Sequence, residues 1–120
     1  MSAVGLGCNS QASVAAIVAC VREAGARAAC EIEALHTGAD VRSAALEAAA
    51  VELGLPLIRH DAAALTAVAH RVLSQSPRVG AKFGVGSIAE AAALAGAGQG
   101  ARLVVPKFSA DGVSCAVAST

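Results

Sequence analysis

The chain has 120 residues, of which 32 are Ala, 56% are apolar and only two, both Phe, are aromatic. Nine Lys plus Arg balance nine Asp plus Glu, so the formal net charge is zero. A neutral chain without Trp or Tyr lacks both the cationic face that neutralises phosphates and the rings that stack on bases, which argues against a nucleic-acid binder. No run reaches the roughly 18 apolar residues of a spanning helix, so no membrane partner is expected either.

The length suits one domain over residues 1–120. The first charge is Arg22, and the polar-studded stretch before it lacks the basic start of a signal peptide, so a cytoplasmic protein is expected. Cys8, Cys20, Cys30 and Cys115 contain no CxxC. They read as free thiols that pack as small hydrophobes.

In chain order, Ala3 to Cys8 reads as a short buried strand entering a Gly-rich turn. Asn9 or Ser10 is placed to cap the helix that follows. In that helix Val14, Ile17, Val18 and Val21 share one face, and Gly25 is its expected stop. Cys30 to Leu35 alternates like a half-exposed second strand, with His36 to Asp40 as the loop after it. Ser43 to Leu53 reads as a second helix ended by Gly54, Pro56 to His60 as a third strand, and Asp61 as the cap of a third helix carrying Leu65, Val68 and Val72. Ser74 to Lys82 is a polar connecting segment.

Ser87 and Glu90 have the spacing of a capping box, which starts a fourth helix after Gly84 and Gly86. Gly96 to Gly100 ends it. Leu103 to Pro106 reads as a buried strand, Ser109 to Gly112 as a turn and Val113 to Ala118 as a last strand. A tight Asp-Gly turn makes the final pair an antiparallel hairpin. The order predicts an α/β fold of three layers, α/β/α, around a mixed, mostly parallel sheet of about five strands.

Ligands of open α/β sheets sit at the carboxyl edge of the strands, where helix N-termini present unpaired N–H groups to anions. Two glycine pairs precede helices, Gly5-x-Gly7 and Gly84-x-Gly86, and with Cys8, Asn9, Ser10 and Ser87 they form the candidate anion site. Neither completes GxGxxG and no GK[ST] occurs, which argues against a nucleoside triphosphate. His36 and Thr37, at the end of the second strand, and Lys107, at the end of the fourth, are placed at the same edge. His60 and His70 read as surface residues. Without a CxxC or an i, i+4 His pair, no metal and no cofactor are expected. No acid–base pair or nucleophile elbow stands out, so the catalytic residues stay unassigned.

Four segments, GLGCNSQAS at 5–13, LGLP at 53–56, GVGSIAEAAAL at 84–94 and ARLVVPK at 101–107, together resemble the CobE/CbiG C-terminal domain family of cobalamin biosynthesis, along nearly the whole chain. The resemblance implies an α/β/α domain of the stand-alone type, acting in corrin-ring construction. Its ligand would be a precorrin-type corrinoid intermediate, and other enzymes of that pathway would be its partners. In CbiG the assigned reaction opens the ring A lactone with loss of a two-carbon unit. Two roles stay open, an enzyme acting on a precorrin and a protein that holds or delivers one. A small anion- or nucleotide-binding module is the reading from outside the pathway.

Overall fold

The computed structural model describes residues 2–73 and 87–120. Gly84 and Gly86 lie outside the described residues. The elements are β1 (Ser2–Cys8), α1 (Val14–Ala28), β2 (Leu35–Gly38), α2 (Ala44–Leu53), β3 (Leu57–His60), α3 (Ala62–Ala67) with a 3-10 turn over Ala69–Arg71, α4 (Ile88–Ala97), β4 (Arg102–Ala110) and β5 (Val113–Ser119). The strands form one sheet in the order β3-β2-β1-β5-β4. β1, β2 and β3 pair in parallel, while β5 is antiparallel to both β1 and β4. β4 therefore runs with the first three strands, and among the described residues β5 alone runs against them. This is the expected mixed α/β sheet.

The two faces carry separate apolar clusters. Val4, Leu6, Leu35, Val105, Cys115 and Val117 meet α1 and α2 on one side. Ala3, Ala116 and Ala118 meet α3 and α4 on the other. Small side chains let α4 lie close to the sheet, and α4 is buried along most of its length. The closest approach is at Gly5, where a Cβ would fall 1.9 Å from the Ala89 carbonyl oxygen and 2.5 Å from Ala93 N. Only glycine fits there.

Several local expectations are corrected. Helix α1 starts at Val14, and Ser13 caps it by accepting from Ala16 N at 3.1 Å. Asn9 instead bends the loop, its Oδ1 accepting from Gln11 N at 2.8 Å while its own N–H donates to Gly112 O. Gly25 does not end α1, because Ala29 takes the left-handed cap at φ 52°. The second strand is Leu35–Gly38, not 30–35. All four of its residues are buried, so it shows none of the alternation that marks a strand with one wet face. The third helix breaks after Ala67 and ends in the 3-10 turn. β4 is longer than expected, and register shifts between Val105 and Phe108 put Lys107 within a bulged stretch instead of at a strand end.

Candidate functional site

The carboxyl edge of the sheet collects the helix N-termini. α1, α2 and α3 each follow a strand of the parallel set, and Ser13, Ser43 and Asp61 accept from first-turn N–H groups as their caps. α4 reaches the same edge from the opposite direction. Its first residue, Ile88, lies beside both Gly7 and Gly38, while Gly96 near its other end lies over His36. Ser87 caps it, the buried hydroxyl accepting from Glu90 N at 3.2 Å. Each such N-terminus carries about half a positive charge. α2 and α4 have Glu47 and Glu90 in their first turns and α3 has the Asp61 carboxylate as its cap, whereas α1 has no acidic residue at either place. The end of β1 is thus the least compensated positive position on the edge.

The expected site residues are placed unevenly. Gly5 and Gly7 both lie within β1 and not in a turn. Gly5 is used for helix packing, while Gly7 and Cys8 are half-buried at the edge, with Asn9 and Ser10 exposed just beyond. Ser87 caps α4, whose next residues, Ile88 and Ala89, lie beside Gly7. Thr37 is fully buried inside β2, and its hydroxyl donates to Leu6 O at 2.7 Å, tying β2 to β1. Lys107 is half-buried, and its backbone N–H donates to Glu90 Oε2 at 2.9 Å. Glu90 was read only as half of a capping box. Its carboxylate is fully buried and also accepts from Leu73 N at 3.0 Å, joining the end of the 3-10 turn to β4. No periodicity signals such a bridge, because its partners are backbone groups remote in sequence.

His36 and His60 are the second surprise. His36 is buried in β2, and its Nδ1 lies 2.9 Å from Nε2 of His60, which closes β3 at the carboxyl edge. Burial pushes the His36 pKa down to about 4, and the neighbouring His60 adds to the effect. Burial lowers His60 as well, opposed by the Asp61 carboxylate. Sequence reasoning placed His60 on the surface because nothing in a 24-residue separation announces the register of two parallel strands.

A groove of about 600 Å³ lies elsewhere, under the C-terminal ends of α1 and α2, lined by Val21, Gly25, Ala29, Cys30, Ile32 and Leu55 among others. Helix C-termini carry the negative end of the dipole and disfavour carboxylates. The groove's lining also includes Arg22 and Glu31, whose charges oppose each other, so it offers an anionic ligand no net cationic excess. Among the described residues no group of three or more His, Cys, Asp or Glu is arranged to hold a metal ion. No helix of the described residues is long and apolar enough to cross a membrane.

Residues 2–118 match the family model described as cobalamin synthesis G C-terminus. The chain belongs to that family. It is therefore a protein of cobalamin biosynthesis. Two solved structures agree with the family in fold and sequence. The crystal structure of CobE, a protein from the cobalamin (vitamin B12) biosynthetic pathway, is 30% identical with a TM-score of 0.90, covering 100% of this chain and 90% of that one. The cobalamin biosynthesis protein chiG from Agrobacterium tumefaciens is 35% identical with a TM-score of 0.81, covering 100% and 98%. No curated protein matches the chain. The α1 and α4 N-termini and the histidine pair are the chemically distinct features of this chain's carboxyl edge among the described residues.

Proposed function

We propose that this family member binds a precorrin-type tetrapyrrole at the carboxyl edge of its sheet, between the end of β1 and the N-terminus of α4. The observation that carries the reading is the approach of two helix N-termini from opposite faces to the end of β1. Such pigments bear several acetate and propionate arms on a flat apolar ring. Backbone N–H groups at the start of α1 and the Lys107 ammonium suit carboxylates, and the small residues Gly7 and Cys8 leave room for the ring. Each exposed helix-terminus contact is worth about 0.3–1 kcal/mol, so useful affinity needs several arms held together. A neutral chain suffices for this, because the charges are met locally.

The test is an absorbance titration with cobyrinic acid, a corrin with free carboxylates. Without Trp or Tyr the protein contributes almost nothing near 280 nm. A saturable spectral shift is expected, and Gly7→Val and Lys107→Met should each weaken it by about three- to tenfold. Cys20→Ala, in the core, should leave it unchanged. No shift, together with saturable ATP binding, overturns the reading in favour of a nucleotide module. Mass spectrometry of pigment recovered after incubation separates the two roles, an unchanged mass marking a holding protein and a changed mass an enzyme.

A further inference from the structure

Of the three histidines in the chain, two share a hydrogen. The His36 and His60 ring centroids are 5.2 Å apart with their planes 25° from parallel, and 2.9 Å separates Nδ1 of one from Nε2 of the other. A neutral imidazole has one N–H and one bare nitrogen. When two neutral rings share one hydrogen, their outer nitrogens must differ. If His60 donates to His36, then His60 Nδ1 is bare and His36 Nε2 carries hydrogen; the opposite tautomer reverses both. The pair is always a base at one end and an acid at the other. Among the described residues neither outer nitrogen has a protein partner.

The surroundings give the two rings different tasks. His36 is 7% exposed and held under α4 by Gly96, where a Cβ would fall 2.5 Å from His36 Nδ1. Its ring has little freedom. His60 is half-buried at the open edge and is the reachable end. Asp61, next to it, favours a positive charge on His60 as a proton arrives. Both rings are otherwise held neutral at pH 7 by burial, so each keeps one bare nitrogen.

We propose that His36 and His60 form an acid–base dyad that moves a proton between solvent and a water or hydroxyl group at the carboxyl edge of β3. His60 is the catalytic residue and His36 the positioning residue that sets its tautomer. In the forward step the O–H bond of the water or hydroxyl breaks, leaving its electron pair on oxygen for attack. The proton joins His60 Nδ1. The hydrogen on His60 Nε2 stays in its bond to His36 Nδ1, and the proton on His60 Nδ1 passes on to the leaving oxygen or to solvent as the step completes. The pair begins and ends neutral in the same tautomer, with His60 cationic in between and His36 Nδ1 accepting its Nε2 hydrogen throughout.

None of this requires a bound tetrapyrrole, and the test uses none, so its result is independent of the pigment titration. The probe is p-nitrophenyl acetate, whose hydrolysis breaks the acyl–oxygen bond, adds water to the acetyl group and releases p-nitrophenolate. His60→Gln is expected to slow release about tenfold, and the exposed His70→Gln to change it by less than about twofold. Long-range proton–nitrogen NMR of the 15N-histidine protein at pH 7 supplies the readout that a structural role would not move. It should show complementary single tautomers for His36 and His60, and in His36→Gln a mixture of tautomers at His60. Circular dichroism establishes that each variant is folded. Wild-type ester hydrolysis in folded His60→Gln, or a His60 tautomer unaffected by His36→Gln, overturns the dyad. If His36→Gln does not fold, mixed tautomers at His36 in folded His60→Gln support the dyad, and an unchanged tautomer there overturns it.

Discussion

Gly5 and Gly7 stand two residues apart on β1 and answer to different neighbours. A methyl at Gly5 would overlap the backbone of α4 at Ala89 and Ala93, whereas at Gly7 it would meet Ile88 at ordinary van der Waals distance, 3.8 Å. Gly5→Ala should therefore cost about 3 kcal/mol, and Gly7→Ala should be neutral or slightly stabilising, by about 0.5 kcal/mol. Denaturant unfolding followed by circular dichroism measures both. His36 gives a pH dependence of definite sign. Its pKa lies at about 4 in the fold against an ordinary 6.5, so the unfolded chain takes up a proton first as pH falls. Stability is complete above about pH 6.5 and declines towards pH 4, by about 3 kcal/mol from this residue. In His36→Gln the same titration should be flatter. The sequence shows each glycine and histidine but not what stands across from it, which only the packing of α4 on β1 and β2 decides.

At the scale of elements, the readable signals were those made by neighbours in the chain. Asp61 and Ser87 cap the helices expected of them, and Asp111-Gly112 turns the hairpin, both residues at positive φ. Each depends on a side chain and a backbone group within a few residues. β2 was misplaced for the opposite reason. Cys30 to Ala34 alternates without pairing, while Leu35–Gly38, covered by helices on both faces, has no alternation to read. At α1 the expected caps, Asn9 and Ser10, give way to Ser13, because Asn9 is held by the hairpin through Gly112 O. Ser13→Ala should thus destabilise by about 1 kcal/mol and Ser10→Ala by a few tenths at most. Thermal melting of the two variants checks it. Glu90 links three elements at once. Glu90→Ala would leave the Leu73 and Lys107 N–H groups without this acceptor, and about 3 kcal/mol of stability should be lost in the same melting experiment.

For the whole molecule, the alternation of strands and helices announced a layered α/β domain, and the family resemblance and the solid-state relatives agree on it. What composition could not convey is that the carboxyl edge holds two chemistries: helix N-termini around β1, and a pair of imidazoles around β2 and β3. The net charge of zero describes neither, since one is made of backbone dipoles and the other of uncharged rings. Strand order was equally hidden, because the hairpin of β4 and β5 does not extend the sheet from its outer side but places β5 against β1. That placement pairs Ser2 with Ser119, and their hydroxyls lie 3.1 Å apart. The middle of the sheet is consequently assembled from residues at opposite extremes of the chain. On a ribosome, β1, β2 and β3 emerge with one side of β1 unpaired and wait for β5 before the sheet is whole. Refolding that depends on so distant a pairing belongs to the millisecond-to-second range of non-local folds. A circular permutant joining Ser119 to Ser2 through a short linker, reopened at Gly54, would convert that remote pairing into a local one and should fold faster.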